Sequence, residues 1–76
     1  MMLNKIVEKS RFCRNELTEL LRRIDPHIDM AEYRVNDEKE TVIITYIEGD
    51  EKIIEVTGCG LHSMTAAVLL EIGVKL

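Results

Sequence analysis

Four side chains in this sequence have the types that ligate metals or act as nucleophile and base: Cys13, His27, Cys59 and His62. Cys59 invites the most chemistry. It stands between Gly58 and Gly60 just ahead of a helical pattern, where free backbone N–H groups and the positive end of a helix lower a thiol pKa and favour the thiolate. His62 follows three positions later, which gives the start of a Cys/His pair. Nucleophilic catalysis also needs a group that orients the base, and no third residue is spaced to do so. No catalytic residue is assigned, and an enzyme is not expected. Zinc fails on spacing too, because zinc ligands come in close pairs of the C-x2–4-C and H-x3–5-H kind. Here the only close pair is Cys59 with His62, while Cys13 falls on an apolar helical stripe and His27 follows Pro26 in a loop. Neither metal nor cofactor is expected. The run Glu55-Val56-Thr57-Gly58-Cys59-Gly60-Leu61 has the strand, glycine loop and helix order of a phosphate cradle. It lacks the third glycine, the Lys-Ser/Thr pair and the following strand that such cradles require, so the glycines read as a sharp turn and no small-molecule substrate is inferred.

Charge gives a second set of candidates. The net charge is −4, but residues 1–24 carry six bases against three acids, whereas residues 25–76 carry four against eleven. A basic first segment is joined to an acidic body. Lys5, Lys9, Arg11, Arg22 and Arg23 would form the phosphate-facing side of a nucleic-acid-binding module, although the acidic body disfavours general affinity for nucleic acid. Conversely, Glu48, Asp50 and Glu51 in a turn would form the acidic surface of an inhibitor that mimics nucleic acid.

The elements that must position these residues follow from hydrophobic spacing. Leu3, Ile6, Val7, Cys13, Leu17, Leu20, Leu21 and Ile24 recur at three- and four-residue steps, which predicts a helix over 3–24 that stops at Asp25-Pro26. Phe12 falls opposite that stripe. Strands are predicted over 32–36, 41–47 and 52–57, the last two joined by a two-residue turn at Gly49-Asp50. That turn places Tyr46 opposite Ile53, Ile44 opposite Glu55 and Val42 opposite Thr57. Ile43, Thr45, Ile47, Ile54 and Val56 then face the core, and Val42, Ile44, Tyr46 and Ile53 form an apolar outer face. A second helix, apolar nearly all round, is predicted over 61–72 with Gly73 as its C-cap. The expected architecture is one α+β domain over 1–76, in the order α-β-β-β-α, with a three-stranded antiparallel sheet and two helices on one face.

The α-β-β-β-α order and the glycine-flanked entry to the last helix resemble the double-stranded RNA-binding domain. In that family the last helix opens with G-x-G-x-S-K-K-x-A-K, whose lysines grip phosphates across the RNA major groove. Gly58, Gly60 and Ala66 match, but the three lysine positions fall on Ser63, Met64 and Ala67. The resemblance therefore implies the fold without the phosphate clamp. In size and style the chain is also similar to small proteins carried by bacterial prophages and conjugative elements.

No apolar run reaches the roughly 18–20 residues of a membrane span, and no signal peptide is read at the start. Two cysteines read as free thiols, so a cytoplasmic protein is expected. Aromatic residues make up only 4% of the chain and Trp is absent, which leaves little for base stacking or carbohydrate platforms. With 76 residues and 46% apolar composition, the chain carries more hydrophobic surface than one small core hides. The expected function is a non-enzymatic interaction protein that self-associates as a homodimer or docks on a protein partner. Phe12, Val42, Ile44, Tyr46 and Ile53 are the expected contact residues.

Overall fold

The first helical pattern is realised with a change of phase in its middle. In a computed structural model that describes residues 2–75, α1 (Met2–Phe12), a π-helical turn (Cys13–Leu17) and α2 (Thr18–Ile24) follow one another without a break in helical backbone. The wide turn has an identifiable partner. Thr18 Oγ1 donates to the Cys13 carbonyl at 2.6 Å and accepts the Ala31 N–H at 2.9 Å, so one buried hydroxyl joins the π-turn to the first strand. Cys13, Leu17 and Leu21 are fully buried, while Leu20 and Ile24 are carried round to the exposed flank. The helix ends at Asp25, which is extended as expected before Pro26 and whose side chain accepts the His27 N–H at 2.9 Å.

Three antiparallel strands follow in the order β1 (Ile28–Asn36), β2 (Lys39–Tyr46) and β3 (Glu51–Glu55). The tight two-residue turn joins β1 to β2, at Asp37 and Glu38, rather than β2 to β3. Both residues have positive φ, 51° and 66°, and Asn36 pairs with Lys39, which is the geometry of a type I′ hairpin. The β2–β3 connection is longer, closed by Tyr46 N–H to the Asp50 carbonyl at 2.8 Å.

That longer loop overturns the expected register. Ile44 pairs with Lys52, Ile43 with Ile53 and Val42 with Ile54, a slip of three residues from the two-residue-turn pairing. An odd slip exchanges which side chains of β3 share a face with those of β2. The observed pairing puts Val42, Ile44 and Ile54 on one face with Ala31 and Tyr33, whereas the expected one would have buried Thr45. Val42 and Ile44 are therefore core residues, fully buried, and cannot contact a partner in the folded protein. The outer face is a mixture of Glu32, Arg34, Thr41, Ile43, Thr45, Glu51, Ile53 and Glu55. It has the polar alternation of a sheet covered on one side only.

α3 (Leu61–Glu71) returns to the same face as the first helix, and Met64 and Val68 complete the core with Cys13, Leu17, Leu21, Ile28, Val42, Ile44 and Val56. Gly73, with φ of 98°, ends it as expected. Its N–H bonds the Leu70 carbonyl and that of Val74 bonds Leu69, a Schellman cap that a residue with a Cβ would strain. The structure thus has the expected α-β-β-β-α order, with two helices on one face of a three-stranded sheet. No described helix is long and apolar enough to cross a membrane.

Candidate interaction site

The four residues with metal or nucleophile chemistry do not converge. Cys13 is buried with its Sγ 3.9 Å from Met64 Sδ, and burial pushes its thiol up to about 11, which makes it an inert core residue. Cys59 is half-buried against the core edge, and His62 is exposed on the first turn of α3. His27 is exposed and lies 3.2 Å from Asp25 Oδ1. Among the described residues no three His, Cys, Asp or Glu side chains are grouped to hold a metal ion.

The densest polar cluster in the structure was invisible in the sequence. Glu40, on β2, accepts Lys9 Nζ at 2.6 Å and the Tyr33 hydroxyl at 2.5 Å through Oε1, and the Gly58 N–H at 2.9 Å through Oε2. Its own N–H donates to Thr57 Oγ1 at 2.9 Å. Lys9 also stands 5.7 Å above the centroid of the Tyr33 ring. One carboxylate thereby ties α1 to β1, β2 and the loop before α3. Lys9, Tyr33 and Gly58 together hold the Glu40 carboxyl down to about 2, and burial and the Glu40 hydrogen bond push the Tyr33 phenol up. A carboxylate held ionised by three donors from three parts of the fold is a structural latch. Nothing in the separations of these residues along the chain signals that they meet.

The latch also consumes part of the basic set. Lys9 is taken by Glu40, and Arg23 pairs with Glu19 at 2.8 Å. Lys5, Arg11 and Arg22 remain exposed, and Arg14 joins Arg11 and Arg22 along shallow depressions on the outer side of the first helix. At the positions where the RNA-binding family carries its lysines, Ser63 is exposed, Met64 fully buried and Ala67 half-buried, and none of the three carries a cation. Glu48, Asp50 and Glu51 are all exposed where β2 turns into β3.

The remaining feature is apolar. α3 has only two fully buried side chains, although its sole titratable residues are His62 and Glu71. Between it and the first helix lies an open groove of about 400 Å³ lined by Phe12, Leu61, His62, Thr65, Ala66 and Leu69. A second depression shares Phe12 and Leu61 and continues along α1 past Val7. Leu70, one helical turn beyond Ala66, is 58% exposed. Of the expected contact residues, Phe12 belongs to this groove, half-buried with its ring against the core. Tyr46 is half-buried against the core as well, and Ile53 is exposed on the opposite side of the sheet. The groove residues beyond Phe12 were legible only as an all-round apolar last helix, with no indication of which side stays open. Comparisons with family models, curated proteins and solved structures find no match to this chain.

Proposed function

We propose that this chain is a non-catalytic interaction protein that acts as a homodimer, joined through the exposed side of α3 and the groove between α3 and α1. The observation that carries this reading is the uncovered apolar helix: Leu61, Ala66, Leu69 and Leu70 stay wholly or partly accessible in a chain whose core is already filled. A second copy suits the patch because Ala66 lets two helices approach closely while Leu70 and Phe12 supply bulk beside it. Sedimentation equilibrium tests the proposal. A dimer is expected, and Leu70→Asp, which changes an exposed side chain, should yield a folded monomer. A wild-type monomer at high concentration refutes it, and so does a dimer that Leu70→Asp and Ala66→Glu leave intact.

Nucleic-acid binding through the first helix is the second reading, supported by the exposed Lys5, Arg11, Arg14 and Arg22. Titration with duplex RNA and DNA at low salt, where charge attraction is greatest, excludes it if no affinity is found.

A further inference from the structure

The two edges of the sheet are treated differently. On β1, the outward-facing Ala31 N–H is taken by the Thr18 hydroxyl, so the first helix closes part of that edge. Among the described residues, β3 has no such cover. Its ladder bonds to β2 run through alternate residues, as shown by Val56 N–H donating to the Glu40 carbonyl at 2.8 Å in step with the Val42–Ile54 and Ile44–Lys52 pairs. By the same alternation the N–H and C=O groups of Glu51, Ile53 and Glu55 point away from the sheet. All three residues are exposed, Ile53 at 64%. Their side chains share the outer face, so this edge presents acid, β-branched apolar and acid at two-residue steps.

We infer that the β3 edge accepts an extended basic segment of another protein as a fourth strand, with Lys or Arg opposite Glu51 and Glu55 and an apolar residue opposite Ile53. Backbone groups supply the hydrogen bonds of strand addition, and the alternate side chains supply the selection. Charge decides the occupant. A second copy pairing antiparallel along all five residues would set Glu51 against Glu55 twice, which like charges directly across a ladder oppose. A basic strand reverses both contacts. Lys52 does not compete, because its side chain turns to the helical side and its Nζ donates to the Glu71 carbonyl at 3.2 Å.

The test uses the whole chain and three synthetic blocked peptides, Lys-Thr-Ile-Thr-Lys, its counterpart with Glu in place of Lys, and the basic peptide with Pro at its centre. Amide NMR shifts and hydrogen exchange are read during titration. The basic peptide is expected to shift and protect the Glu51, Ile53 and Glu55 amides, with affinity falling as salt is raised. The acidic peptide should bind at least about tenfold more weakly, and the double variant Glu51→Lys with Glu55→Lys should exchange the preference. Ile53→Pro removes an edge donor without touching the ladder, and should abolish binding. Should that variant fail to fold, the proline-centred peptide tests the same hydrogen bonds from the other side. Equal binding of basic and acidic peptides, no shift of the three amides at millimolar peptide, or dilution-dependent shifts showing that the edge pairs with a second copy would each overturn the inference.

Discussion

Replacing Glu40 with Gln should cost this protein a large part of its stability, and the loss should depend on pH in a way that only an ionised, hydrogen-bonded carboxylate explains. The substitution keeps the shape of the side chain but removes the charge that Lys9, Tyr33 and Gly58 converge on. Holding the carboxyl at about 2 rather than 4.5 corresponds to a ceiling of about 3 kcal/mol at 1.36 kcal/mol per pH unit. The Glu40 side chain is still 18% exposed, so solvent screening brings the expected effect to about 2 kcal/mol. A chain of this size has a total stability of about 4–11 kcal/mol, so the variant should fold but unfold at distinctly lower urea. The sign of the pH dependence follows from the direction of the shift. Because the folded-state value is lowered, the stabilisation is complete above 4.5 and is lost as the pH falls towards 2. Urea unfolding followed by circular dichroism should therefore separate wild type from Glu40→Gln by about 2 kcal/mol at neutral pH, with the two curves converging near pH 2. Equal stability at neutral pH, or a gap that persists unchanged into strong acid, would refute the latch.

Two further substitutions probe the scaffold. Thr18→Val keeps the volume but leaves the buried Ala31 N–H without its acceptor, while the Cys13 carbonyl keeps the Thr18 backbone N–H, so urea unfolding should show a loss of about 1–3 kcal/mol, with Thr18→Ser recovering most of it. The β2–β3 register is tested by paired truncations. Ile44→Ala should cost about 2–5 kcal/mol in the same assay, whereas Ile53→Ala, on the open face, should stay within about 1 kcal/mol of wild type; the reverse order would restore the two-residue turn.

Much of the architecture is legible without coordinates because it rests on local physics. The stripe from Cys13 to Leu21 follows helical spacing, Pro26 stops the helix, β-branched runs make the strands, and Gly73 is where a left-handed cap is needed. Composition also showed that α3 lacks a polar side, and this is the property on which the proposed dimer rests. Two features escaped because they depend on groups distant in sequence. The phase of the β2–β3 hairpin turned on whether Gly49-Asp50 or a longer loop made the bend, a small difference locally that reverses a whole strand face. Only burial of Val42, Ile44 and Ile54 together against Leu17, Leu21 and Val68 selects the observed register. The latch joins residues 31, 7 and 18 positions from Glu40, and no local pattern encodes a meeting at that range. The sequence by itself thus determined the elements, their order and the surplus of apolar surface, since propensity, capping and periodicity act over a few residues. Tertiary structure alone decided where that surplus emerges, because facing, pairing and edge protection are settled by which side chains exclude water from one another across the fold.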